Sequence, residues 1–190
     1  MNKFLLLINK TPAVIWGIIL GFILNEVTAW LREKRKDKKK KLAFRTVLDL
    51  EIEQNLSVLN KFWNKIIDIG NFLQDSDEAR NSKALKLIET PIPIWSRKVW
   101  EGQISYLALS LNVQEIKEIH KLYCNLDTII AIQSRLEILR NEKDIKIAQY
   151  PVAFRSQEEQ FQHKSRELVK ECEQIVREIV EKGNPIGVRA

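Results

Sequence analysis

Polarity along the chain changes character twice. From Pro12 to Leu24 every position is apolar or glycine, and after Asn25 and Glu26 the apolar run resumes through Val27, Thr28, Ala29, Trp30 and Leu31. A helix over 12–31 would be about 30 Å long, close to the hydrocarbon thickness of a bilayer. Thr11-Pro12 reads as an N-cap followed by proline at the first helical position. Trp30 stands where an interfacial aromatic is expected. The pattern predicts a transmembrane helix.

Polarity then inverts abruptly. Arg32, Lys34, Arg35, Lys36, Lys38, Lys39, Lys40 and Lys41 follow, broken only by Glu33 and Asp37. After this collar the apolar positions become periodic. Phe44, Leu48, Ile52, Leu56, Leu59, Trp63, Ile66 and Ile67 recur at three- and four-residue spacing, a helix with one buried face. Gly70-Asn71 reads as its stop. Nothing between Pro12 and Gly70 breaks a helix, so span, collar and amphipathic helix are expected to run as one rod.

The rest also reads as helices. Gln74 to Glu78 looks like a surface loop, with a short helix over 83–88 after it. Thr90-Pro91-Ile92-Pro93 must be extended, because proline disfavours helix in the residue before it. Ser96 is placed to cap a helix over 97–108 that carries Trp100, and Trp95 and Trp100 are expected core anchors. Asn112-x-x-Glu115 has the form of a capping box and opens a helix to about Arg140, its stripe Ile116, Ile119, Tyr123, Leu126, Ile130, Gln133 and Leu136. Tyr150-Pro151 breaks it. Ser156-x-x-Glu159 repeats the capping pattern and opens a last helix with Phe161, Ser165, Leu168, Cys172, Ile175 and Ile179, ended by Gly183-Asn184-Pro185. The expected fold is all-α, an N-terminal transmembrane helix continuing into a cytoplasmic antiparallel helical bundle. The divisions are 1–31 for the N-terminal segment and span, 32–41 for the collar and 42–190 for the bundle.

Charge refines this picture. The net charge is +6, and the collar alone carries that much, so the remainder is neutral. The basic character is therefore no argument for nucleic-acid binding. It is an argument for orientation: eight cations follow the span, whereas Lys3 and Lys10 precede it. The positive-inside rule puts the N-terminus outside and the C-terminal domain in the cytoplasm. No small-x-small site follows the apolar run, which disfavours a cleaved signal peptide. The collar cations are the expected contacts for anionic lipid headgroups.

Within the span, Ala13, Gly17 and Gly21 repeat at four-residue spacing and Asn25 continues the row. Small residues so spaced let two helix backbones approach closely, and Asn25 would hydrogen-bond across the contact. Self-association through this face is the expectation. Glu26 is costly in lipid unless it meets water, a cation or another helix. It either pairs with the collar or, with Asn25, lines a polar ring in an oligomer.

No catalytic or metal motif emerges, and no cofactor is expected. His120 and Cys124 lie one turn apart, but His163 and Cys172 are nine residues apart on one helix, too far to share an ion. Both cysteines fall in apolar patterns and are expected to be buried free thiols. The Arg-x4–6-His pattern of helical HEPN ribonucleases is absent, since Arg155 precedes His163 by one residue too many.

The order of features resembles a group of uncharacterised bacterial proteins with one N-terminal span, a Lys/Arg collar, an E-x-x-N-L helix, a Trp-bearing short helix and a helix with L-Y. Here the corresponding residues are Glu53-Gln54-Asn55-Leu56, with Glu51 or Glu53 serving as the acid, then Trp100-Glu101 and Leu122-Tyr123. Similar anchored helical proteins are accessory proteins of CRISPR and other anti-phage systems, where some assemble into membrane pores. The resemblance implies a self-associating effector or scaffold of the bacterial inner membrane, extending to pore formation in phage defence. The alternative is a monomeric, membrane-tethered module that captures a cytoplasmic protein partner.

Overall fold

The computed structural model of the chain describes residues 13–67, 76–149 and 151–186. Six helices occupy them: α1 Ala13–Ile67, α2 Asp77–Glu89, α3 Lys98–Gly102, α4 Ile104–Ser110, α5 Val113–Gln149 and α6 Pro151–Lys182. No strand occurs among the described residues. Thr11-Pro12 and Gly70-Asn71, read as the start and stop of the first helix, lie outside them. α1 is uninterrupted over 55 residues, as the lack of a breaker required. The chain divides into two compact units, Met1–Phe44 and Arg45–Ala190, so α1 contributes to both.

In the second unit, α5 and α6 pack antiparallel. Lys121 meets Glu178 at 2.5 Å and Lys143 meets Glu158 at 3.2 Å, a pairing that runs in opposite senses along the two helices. α2 lies against both. Lys83 reaches Glu173 at 2.5 Å, Arg166 pairs with Asp77, and Gln133 donates Nε2 to the carbonyls of Leu87 and Thr90 at 2.6 and 2.5 Å. Gln133 thereby closes the C-terminal end of α2, whose last carbonyls have no helical partner. The core common to these elements holds Leu48, Ile52, Leu59 and Ile66 of α1, Leu87, then Ile119, Leu126, Ile129 and Ile132 of α5, and Val169 and Cys172 of α6, all fully buried. Each such aliphatic side chain removed from water is worth about 1.5–3 kcal/mol.

Several boundaries differ from the sequence reading. α2 begins at Asp77, inside the stretch read as loop. Ser76 Oγ accepts from the Ala79 amide at 3.2 Å, and Asp77 and Glu78 sit in the first turn, where the helix dipole favours them. The helix expected over 97–108 is two, parted at Gln103, whose φ of −135° and ψ of 45° are not helical. α5 continues past Arg140 to Gln149 on good helix formers that are mostly solvent-exposed, so no apolar stripe signalled them. α6 opens at Pro151, and Ser156 lies within it; proline is suited to the first helical turn, and the second capping box does not start the helix. The last helix does end as expected. Gly183 has φ 62° and donates its amide to the Ile179 carbonyl at 2.9 Å.

The first capping box is present in full. Asn112 Oδ1 accepts from the Glu115 amide and Glu115 accepts from the Asn112 amide, both at 2.8 Å. Glu115 also holds Arg45 of α1 at 2.6 Å, and Arg45 donates to the Ser110 carbonyl at 3.0 Å. Loss of the cap alone, in Asn112→Ala, should cost about 1 kcal/mol. Glu115→Ala removes cap and cross-helix pair together and should cost more, which thermal unfolding of the two variants in detergent will rank.

Candidate functional site

Among its described residues, the first unit presents an exposed apolar surface. Every residue from Gly17 to Ala43 is exposed, including Ile18 at 67%, Phe22 at 66% and Leu24 at 63%. α1 is the one helix among the described residues long and apolar enough to cross a membrane. A Cβ added at Gly17 or Gly21 would meet nothing within 4 Å beyond its own helix backbone and chain neighbours, so both glycines face open space among the described residues. Of Ala13 only the backbone is described. Asn25 accepts, through its carbonyl, a bond from Thr28 Oγ1 at 2.8 Å. Glu26 forms no ion pair with the collar among the described residues. All eight collar cations are exposed, and Lys34 Nζ lies 4.7 Å from the centre of the Trp30 ring.

The second unit contains a polar node that residue patterns alone did not reveal. Glu51 is 5% exposed and Asn55 1%, one turn apart on the buried face of α1. The Glu51 carboxylate accepts four bonds: from Tyr123 Oη at 2.7 Å, Ser96 Oγ at 3.0 Å, and the amides of Val99 at 2.9 Å and Trp100 at 3.3 Å. Asn55 grips Ser96 twice, accepting from its amide and donating to its carbonyl, both at 2.8 Å. Trp100 stacks on Tyr123 with ring centres 5.6 Å apart. The Arg97 guanidinium lies over the Tyr123 ring at 5.4 Å from its centre, donates to the Tyr123 carbonyl at 3.3 Å and pairs with Asp127, which holds its pKa above the ordinary value.

This arrangement corrects one expectation. Ser96 does not cap the helix after it; its hydroxyl donates to Glu51, and Glu51 from α1 takes the first free amides of α3. Of the two glutamates shortly before Asn55, Glu51 is buried, whereas Glu53 and Gln54 are exposed. The residues quoted from three separate motifs, Asn55, Trp100 and Tyr123, meet at one place. The available signal was a glutamate and an asparagine at i and i+4 inside the apolar stripe Leu48–Ile52–Leu59. Trp95 is buried as expected, whereas Trp100 is only half-buried.

The other candidate residues do not assemble. Cys124 is exposed, against expectation, with Sγ 3.6 Å from His120 Nε2; its position on α5 falls beside the apolar stripe, not in it. Cys172 is buried. His163 is exposed and, with Ile138, Leu139 and Leu168 among others, lines an open groove of about 630 Å³ between α5 and α6. No group of three or more metal-ligating side chains gathers among the described residues. The chain finds no match among known protein families, curated proteins or solved structures.

Two measurements follow from the node. Glu51→Gln sets an amide N–H₂ against groups that are themselves donors, leaving buried donors unmet at about 1–3 kcal/mol, while Glu53→Gln should change stability by less than about 0.5 kcal/mol. Denaturant unfolding of the two variants decides between the glutamates. Burial and the Glu51 carboxylate push the Tyr123 phenol above its ordinary value of 10.0, and burial pushes the Cys172 thiol from 9.0 up to about 12. Raised values mean the folded state holds these protons more tightly. Stability should therefore be flat below about pH 9 and fall as pH rises towards 12. Cys172→Ala and Tyr123→Phe, which cannot ionise, should each flatten that slope.

Proposed function

We propose that the chain is a single-pass, self-associating helical effector or scaffold of the bacterial inner membrane, with its N-terminus outside and the second unit a cytoplasmic helical bundle. The observation that carries the reading is the exposure of an entire apolar stretch of α1. Apolar surface on this scale is disfavoured in water and favoured in hydrocarbon. The eight exposed cations that follow supply the charge bias that sets direction.

Self-association is supported by the open row Gly17, Gly21 and Asn25, with Ala13 one step before it. Tight backbone approach needs surfaces with no side chain in the way, and these glycines have none. In an oligomer, Asn25 and Glu26 from several copies would gather into a polar ring, the element a pore requires. The resemblance to accessory proteins of CRISPR and anti-phage loci makes altered membrane permeability during phage defence the corresponding biological reading. The mechanism proposed is assembly, with no catalytic step.

The test is direct. The protein should stay with membranes through alkaline carbonate and run in mild detergent above its monomer mass. Gly17→Leu/Gly21→Leu should lower that mass to a monomer while leaving membrane retention intact. Release by carbonate would remove the membrane reading, and an unchanged oligomer in the double variant would remove the self-association face. A wild-type monomer would leave the tethered binding module in its place.

A further inference from the structure

The collar is not a uniform ring of charge. Advancing about 100° per residue along a helix, Glu33 and Asp37 fall within about 40° of each other, and Phe44 falls between them. Phe44 is 5% exposed. Lys40 and Lys41 flank the same sector. Arg32, Lys34, Arg35, Lys36, Lys38 and Lys39 occupy the remaining sector of about 200°, which contains no acid. All six are helical and exposed.

From this sidedness we infer that the collar binds anionic phospholipid through that acid-free face alone, so that α1 leaves the bilayer leaning towards it. The inference rests on the membrane reading above and names which part of the collar meets lipid. The charge is complementary, and its depth is right. The collar starts directly after Leu31, and its ten residues rise about 15 Å, so the whole of it stays within a headgroup layer plus one Debye length of about 8 Å. Lys34 supports the placement. Its ammonium folds back over Trp30, bringing one cation of this face to the level of the interfacial aromatic. A helix standing upright would expose Glu33 and Asp37 to the negative surface equally with the lysines. Leaning towards the acid-free side brings six cations closer and turns both acids away.

The comparison that tests this keeps charge and depth nearly constant. The full-length protein and two variants, Lys38→Gln/Lys39→Gln and Lys40→Gln/Lys41→Gln, are reconstituted in phosphatidylcholine vesicles holding some phosphatidylglycerol. Spin-labelled phosphatidylglycerol and phosphatidylcholine report the selectivity for anionic lipid. The first variant should lose selectivity by about fivefold for each cation removed, and the second much less. Equal losses would overturn the one-sided collar and leave a uniform ring. Flotation of each sample separates this from failure of the membrane reading, because a protein that does not float with vesicles was never inserted. A parallel titration with RNA supplies the other outcome. Binding at physiological salt that Lys38→Gln/Lys39→Gln abolishes, with lipid selectivity unchanged, would reassign the face to nucleic acid.

Discussion

The organisation of the second unit depends on the satisfaction of one buried carboxylate. Glu51 sits among Leu48, Ile52 and Leu59, where an unmet charged group costs far more than any single apolar contact returns. Its four donors come from Tyr123 of α5, from Ser96 in the extended stretch, and from two amides at the start of α3. Meeting that demand fixes α1 against α5 and holds the segment after Pro93 against both. Asn55, one turn on, repeats the grip at Ser96. The α3 amides need an acceptor, because Arg97 at the N-cap provides no side-chain oxygen. The deficiency of a short helix and the excess acceptor capacity of a buried acid thus answer each other.

Around this node the ion pairs do lesser work. Lys83–Glu173 is largely enclosed and ties α2 to α6. Lys121–Glu178 and Lys143–Glu158 lie nearer solvent, where such pairs contribute about 0–1 kcal/mol. Lys121 and Lys182 hold the Glu178 carboxyl down to about 2, a measure of proximity and not of stability in so exposed a group. Their value lies in register: each fixes which turn of α5 faces which turn of α6. The aliphatic core supplies the larger share of stability.

The parts of the fold legible in the sequence are those governed by local rules. The uninterrupted α1, the Asn112–Glu115 box, Gln133 within the α5 stripe and the Gly183 stop each follow from residues a few positions apart. The misreadings occur where a distant residue decides. Ser96 looked like a cap because serine before a helix usually is one, but Glu51, 45 residues earlier, claims its hydroxyl. Ser156 looked like a start because the proline at 151 was read as a break, although proline breaks the helix before it and begins the one after. Asn55, Trp100 and Tyr123 entered through short motifs, and only the folded chain shows that they share Glu51. The small-residue row and the collar are patterns of the sequence itself, and the structure adds that Gly17, Gly21, Asn25 and the collar cations are helical and exposed.

The collar poses a remaining physical problem, which the continuity of α1 resolves. Residues 32–43 are exposed, and Arg32–Lys36, Lys34–Lys38, Arg35–Lys39 and Lys36–Lys40 are like-charged pairs at i, i+4, each unfavourable by about 0.2–0.5 kcal/mol. In isolation so short and self-repelling a segment would not be helical, since initiating a helix is the costly step. Here it need not be initiated. On one side lies the apolar stretch, helical from Ala13 onward, which in hydrocarbon would have to close every backbone hydrogen bond internally. On the other, packing through Leu48 and Ile52 holds the helix. The collar only propagates between two segments already wound, and lysine and arginine propagate well. Neutralising anions around the cations relieve the repulsion further.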